Sequence, residues 1–251
     1  MKKVYLLPAL ALLVVTGVIP GCLNSIKDKD ILFQTSMFSV LSKGDYDGDL
    51  MYKELKQHGD FGIGTFDGLN GEMIALGGEF YQIKADGKAY PVEDSMETPF
   101  AMVTFFVSDE TVSLAKVSSY EQLKQYMDSV LPTRNIFYAI KIEGAFEYIK
   151  ARSVPAQNKP YQPLAEALKG QTIFEFQDVN GTLVGFWCPD YIEGINVPGY
   201  HLHFTTSDGK AGGHLLECEI QSAKAGIDYT PDFFMELPKN QEFYNLNLEA
   251  K

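Results

Sequence analysis

Three of the chain's four histidines fall in one short stretch, Gly199-Tyr-His201-Leu-His203-Phe followed by Gly212-Gly-His214. Residues i and i+2 of a strand point to the same face. The spacing therefore predicts a strand on which His201 and His203 aim together while Leu202 and Phe204 face the other way. Asp208-Gly209 and Gly212-Gly213 are reversal signals. They predict a hairpin whose second arm opens on His214 and returns it beside the first two. Three converging imidazoles suit Zn2+ or another borderline divalent ion. They leave a coordination position open, as catalytic sites do. The plainer alternative, ordinary strand histidines, fits a lone histidine better than it fits this set. Cys218 lies four residues after His214, an offset that keeps the same face on a regular strand. It is a minor candidate for an additional ligand.

The first residues are not part of the fold. Met1-Lys-Lys3 precedes an uncharged apolar run, Val4 to Ile19, and then Pro20-Gly-Cys22. This is the pattern of a secretory leader. The cysteine directly after it marks a lipoprotein-type signal peptide over 1–21, with the lipid on Cys22. Pro20 is unusual for that motif, and plain secretion is the alternative. The apolar run falls short of the roughly 20 residues that span a bilayer. Residues 22–30 are polar and read as a tether.

The remaining chain is long enough for one large domain or two small ones. Hydrophobic residues make up 45% of the sequence, with 17 Phe and 14 Tyr, which indicates a well-packed core. The formal net charge is −12. Such a surface repels nucleic acid and anionic lipid, so no nucleic-acid partner is expected and any membrane contact runs through the lipid anchor. With Cys22 acylated, Cys188 and Cys218 remain, either as one disulfide or as two buried thiols.

Apolar residues recur densely from Ile31 to Leu41, as in a short helix, and Tyr52 to Gln57 is a further helical piece. Phe61–Phe66, Glu72–Leu76, Glu79–Lys84 and Ala89–Pro91 alternate with glycine turns and predict an antiparallel meander. Phe100 to Val107 is an apolar strand. Tyr120 to Leu131 has helical periodicity behind Ser118-Ser119 as caps. Phe137–Ile142 and Phe146–Val154 read as two strands split at Glu143-Gly144. Three prolines between Pro155 and Pro163 mark a boundary, and Leu164–Leu168 a short helix. Gln171–Phe176, Gly181–Cys188, Gly199–Thr205, His214–Gln221 and Phe233–Leu237 complete the strands. The expected fold is α+β in two domains, with mixed and antiparallel sheets and a few short helices. An N-terminal α/β domain would cover 31–158. A β-rich domain over 159–251 would carry the metal ligands.

A metal held by neutral imidazoles keeps its charge and can polarise a substrate oxygen. It needs an acid/base and a grip for an anion. Glu72 and Glu79 both open strands after glycine turns. Arg152 sits inside an otherwise apolar strand, and a planar guanidinium holds a carboxylate through two donors.

Several segments resemble the alpha-acetolactate decarboxylase family. They are His58-Gly-Asp-Phe-Gly-Ile-Gly-Thr-Phe66, Asn70-Gly-Glu72-Met-Ile, Gly78-Glu-Phe-Tyr-Gln82 and Leu131-Pro-Thr-Arg-Asn-Ile-Phe-Tyr-Ala-Ile140. Gly181-Thr-Leu-Val-Gly-Phe186, Gly199-Tyr-His-Leu-His-Phe204 and Gly212-Gly-His214 complete the set. The similarity runs in order from about Gln34 to Asn247. It implies a two-domain α/β fold with mixed sheets, often dimeric, so a homodimer is the partner to expect. It implies a zinc enzyme without an organic cofactor that converts 2-acetolactate to acetoin and carbon dioxide. The family includes secreted members. Carried over by position, the resemblance makes His201, His203 and His214 the zinc ligands. It makes Glu72 the carboxylate close to the metal, Arg152 the residue that orients the substrate, and Thr65 part of the pocket. Glu79 matches a motif position without an assigned chemical step. The chain departs from the family at its end: it stops at Lys251, and Glu249 is the only nearby substitute for a second active-site glutamate. A cupin-like enzyme using Fe2+ or Mn2+ and a non-catalytic metal-binding lipoprotein remain as alternatives, although no two-histidine, one-carboxylate spacing is evident.

Overall fold

The computed structural model describes residues 29–248 and Met1. The leader after Met1, the lipidation candidate Cys22 and Glu249 lie outside the described residues. In chain order the elements begin with β1 (Ile31–Thr35), α1 (Phe38–Ser42), β2 (Leu50–Met51), α2 (Tyr52–Leu55), β3 (Phe61–Thr65), β4 (Glu72–Leu76), β5 (Glu79–Ile83) and β6 (Ala89–Pro91). They continue with β7 (Glu97–Thr98), β8 (Ala101–Thr104), β9 (Glu110–Val117), α3 (Tyr120–Val130), β10 (Phe137–Ser153) and α4 (Leu164–Ala167). The last are β11 (Thr172–Cys188), β12 (Gly199–Thr206), β13 (Gly212–Thr230), β14 (Asp232–Glu236) and α5 (Gln241–Asn245).

The strands form two large sheets. One runs β14-β1-β8-β3-β4-β5-β6, with β1 and β14 parallel and its other neighbours antiparallel. The other runs β10-β11-β12-β13-β9, and an additional β10–β13 pairing closes it on itself. Mixed and antiparallel sheets with few short helices are thus the observed architecture. The predicted meander is present as β3 to β6. The proline-rich stretch 155–163 does not divide the sheets. β10, before it, belongs to the second sheet, and β14, near the end of the chain, pairs with β1 in the first.

The sheets pack face to face. Phe61 and Ile63 of β3, Ile74 of β4 and Met102 of β8 meet Ala139 of β10 and Val184 and Phe186 of β11 in one buried cluster. Phe61 and Phe186 touch edge to face at 6.0 Å. Each such buried ring contributes about 1.5–3 kcal/mol against the entropy of ordering it. A separate cluster, including Tyr138, Trp187, Leu202, Phe204 and Leu215, fills the closed sheet. Leu123 and Met127 of α3 join it. Ser119 caps that helix by accepting from the Gln122 N–H at 3.1 Å.

Four local expectations are corrected. Ile31–Leu41 is not one helix: β1 comes first, the chain turns at Ser36 with φ 63°, and α1 follows. Apolar density alone does not separate a buried strand from a helix. β10 is one strand rather than two. A Cβ on Gly144 would stand 2.2 Å from the Ser222 carbonyl oxygen, so the glycine serves a close strand approach rather than a turn. β11 likewise runs unbroken past Asn180-Gly181. β9 occupies a segment in which the sequence predicted no element.

Candidate metal and substrate site

The closed sheet delivers the histidines. His203 of β12 pairs directly with His214 of β13, and His214 pairs in turn with Arg152 of β10. His201 stands two residues before His203, on the same face, while Leu202 and Phe204 point into the opposite core. The three ring centroids lie 5.0–5.3 Å apart. Their ligand atoms all lie within 4.8 Å of one another. Cys218 does not join them. Leu216 is an extra residue opposite the step from Lys150 to Ala151, and this bulge shifts the register. Leu215 and Cys218 therefore share the inner core face. Cys188 lies in the cluster between the sheets, and both thiols are free and buried.

The first sheet delivers the carboxylate. Gly71 has φ 92°, and a Cβ there would stand 2.4 Å from the Ile83 carbonyl oxygen, so only glycine fits before Glu72. Thr65 pairs with Glu72 across β3 and β4. Its hydroxyl donates to the Gly71 carbonyl at 2.7 Å and fixes that corner. The Tyr52 hydroxyl donates to the Thr65 carbonyl at 3.0 Å.

The two sheets meet at the site. The Arg152 Nη1 donates to Glu72 Oε1 at 2.7 Å, with both side chains largely buried. The other oxygen, Glu72 Oε2, lies 3.6 Å from His203 Nε2. His203 Nδ1 lies 2.9 Å from the Met73 carbonyl oxygen. A carbonyl only accepts, so Nδ1 carries the proton and Nε2 presents its lone pair. Such a backbone contact orients a metal-binding imidazole. Met73 is the contribution that sequence reasoning missed, because its main chain rather than its side chain does the work.

Electrostatics favour neutral histidines. Burial lowers the His201 pKa to about 4, with Arg152 adding to the effect. Burial also pushes His203 and His214 well below the usual histidine range. Each ring keeps one buried nitrogen without a hydrogen-bond partner: Nδ1 of His201, Nε2 of His203 and Nδ1 of His214. Unpaired buried polar atoms are costly. Three of them on neutral imidazoles that face one another fit a metal ion such as Zn2+. Glu72 is held above the usual carboxylate range by burial, which outweighs the opposing pull of Arg152.

These groups line a cavity of about 270 Å³, small among ligand pockets. Thr65, Glu72, Arg152 and the three histidines form its polar side. Phe38 and Leu41 of α1, Phe100, Val154 and Leu164 form an apolar wall. Nothing in the sequence marks those wall residues, since they converge from separate elements. Glu79 is exposed at the β4–β5 turn and is not among the cavity's lining residues.

A small cavity that joins a carboxylate–guanidinium pair to a histidine cluster able to hold a metal ion defines an enzyme acting on small molecules. The sequence profile of alpha-acetolactate decarboxylase matches residues 32–250. The alpha-acetolactate decarboxylase of Methanosarcina mazei is 52% identical over 234 residues, 93% of this chain and 81% of that protein. That of Methylococcus capsulatus is 47% identical over 217 residues, 86% of this chain and 84% of that protein. The crystal structure of alpha-acetolactate decarboxylase from Bacillus subtilis strain 168 matches with a TM-score of 0.86. That match has 41% identity and covers 88% of this chain and 94% of that one. The chain belongs to the alpha-acetolactate decarboxylase family.

Proposed function

We propose that the chain decarboxylates 2-acetolactate to acetoin and carbon dioxide at a zinc ion held by His201, His203 and His214. The observation that carries this reading is the meeting of three neutral, unpartnered imidazoles from one sheet with the Glu72–Arg152 pair that bridges to the other. When bound, zinc supplies Lewis-acid polarisation of the substrate's ketone and hydroxyl oxygens. Arg152 exchanges its contact with Glu72 for the substrate carboxylate, which its planar guanidinium grips through two donors. The bond from that carboxylate to the neighbouring carbon breaks, and its electron pair passes into the adjacent ketone, so no organic cofactor is needed. Once Arg152 turns to the substrate, Glu72 loses its counter-ion, and burial, which already raises its pKa, favours uptake of a proton that it then gives to that carbon. The apolar wall limits water beside the developing charge. The leader pattern and Cys22 support export of the enzyme, with a lipid anchor as the simplest attachment.

The test is metal analysis together with an acetoin assay on the purified chain lacking residues 1–22. About one zinc per chain and acetoin release are expected, and His203→Ala should lose both. Undiminished turnover in a verified metal-free variant would overturn the zinc assignment. Bound zinc without decarboxylation would overturn the substrate.

A further inference from the structure

Ser153 follows Arg152 at the end of β10 and is fully buried. Its hydroxyl crosses to the first sheet and donates to the Ile83 carbonyl of β5 at 2.7 Å. Ile83 pairs with Glu72 across β4 and β5. Gly71 lies close against the same carbonyl oxygen, where a Cβ would stand 2.4 Å away, and the Thr65 hydroxyl holds Gly71 by its own carbonyl. Ser153, Ile83, Gly71 and Thr65 thus form a neutral path between the backbones that carry Arg152 and Glu72, alongside the ion pair. Neither Ser153 nor Ile83 is among the cavity's lining residues, so any effect on the reaction runs through their neighbours.

We propose that Ser153 is a positioning residue that keeps Arg152 and Glu72 at working distance while their ion pair is open. The inference rests on the roles proposed above for those two residues. In that mechanism Arg152 leaves Glu72 for the substrate carboxylate, and a contact broken during the cycle cannot hold the sheets in register. The Ser153 bond joins the sheets beside the pair and carries no charge, so an arriving carboxylate does not compete for it. Without the hydroxyl, the buried Ile83 carbonyl loses this donor and the end of β10 is free to shift against β4. The fold itself has other fastenings. The tip of the β5–β6 hairpin is held to the second sheet where the Ala89 N–H donates to the Lys210 carbonyl at 2.9 Å and Lys88 bridges to Ala211. Ser153 takes no part in these.

Steady-state kinetics on Ser153→Ala, alone and combined with Arg152→Lys, tests the proposal. The single variant should lose about 10–100-fold in kcat/KM, since a misplacement of about 1 Å costs on the order of 10²-fold. Its metal content should be unchanged, because the histidines are untouched. The inhibition constant of 2-hydroxyisobutyrate should rise, because that molecule has the carboxylate and tertiary hydroxyl of acetolactate but no ketone and reports the Arg152 grip without turnover. In the Arg152→Lys background Ser153→Ala should cost little more, as expected of residues that act through one contact. Ser153→Cys nearly keeps the volume with a weaker donor; it should fall between wild type and Ser153→Ala, and it carries the test if the alanine variant does not fold. Tyr138→Phe is the control: it removes a hydroxyl that donates to the Thr133 carbonyl at 2.8 Å and should leave kcat/KM unchanged. Wild-type kcat/KM and inhibition in the Ser153 variants would overturn the positioning role. An equal fold-loss with and without Arg152→Lys would also overturn it, leaving a merely structural hydroxyl. Wild-type kinetics in Arg152→Lys alone would instead overturn the reading of the site on which the role rests.

Discussion

Glu72 and Arg152 have opposite demands on the same contact. Together they neutralise each other at 2.7 Å in a buried setting, where removing one partner leaves an uncompensated charge. In the proposed mechanism the pair opens to admit a substrate carboxylate. The two substitutions therefore fail differently. Glu72→Gln retains size and a hydrogen-bonding oxygen but no titrating proton. It should lower kcat on the order of 10²–10⁴-fold, the usual range for general acid–base catalysis, with zinc content unchanged. Arg152→Lys keeps a charge but not the planar two-donor grip, so it should raise KM for acetolactate as well as lower kcat. Steady-state kinetics on the two variants separates these roles. Wild-type kinetics in both would remove the pair from the mechanism.

At the scale of elements, the site depends on how closely β13 lies against β10. Gly213 has φ 150°, and a Cβ there would stand 2.5 Å from the Arg152 carbonyl oxygen. A side chain would push β13 away at the position where Arg152 faces His214. Gly213→Ala should thus damage two functions at once, metal retention through His214 and substrate grip through Arg152. Strain of this kind costs about 1–3 kcal/mol, which a chain of this size survives. The expected result is a folded protein with reduced zinc content and reduced kcat/KM. Normal values of both would mean that the strand contact is not what positions the site. The Leu216 bulge is a second device of this kind. It lets one strand present His214 to the cavity and Leu215 and Cys218 to the core. Regular alternation counted along the sequence cannot reveal such a shift.

For the whole molecule, the junction between the sheets is also a source of pH dependence. Asp228, near the end of β13, accepts from the Val107 N–H at 3.0 Å. Burial lifts its pKa to about 7. The Val107 N–H opposes that shift, and Asp109, Asp30 and Asp60 add to it. The folded chain then keeps a proton between roughly pH 4 and 7 that the unfolded chain releases. Stability from this group is full at low pH and is lost as pH rises through about 7. Asp228→Asn keeps an acceptor for Val107 and removes the titration. Its Tm should exceed that of the wild type at pH 8 and match it near pH 4. Calorimetry at the two pH values measures this, and an equal offset at both would exclude Asp228 as the cause.

Local order along the chain was enough to determine several features. The H-x-H spacing and the glycine reversal determine that three histidines share one face of a hairpin, because strand alternation and turn chemistry are properties of neighbours. The meander from Phe61 to Pro91 and the capped helix after Ser119 follow for the same reason. Glu72, Arg152 and Thr65 were picked out through a family likeness and through the oddity of an arginine in an apolar strand. Only the tertiary structure decided that Glu72 and Arg152, 80 residues apart, form one ion pair across two sheets. It also decided that Met73 sets the His203 tautomer, that β10 continues through Gly144, and that β14 returns to pair with β1. Each of these depends on which surfaces meet. That choice is made by burying apolar faces of distant segments, a non-directional force whose outcome no short stretch of sequence encodes.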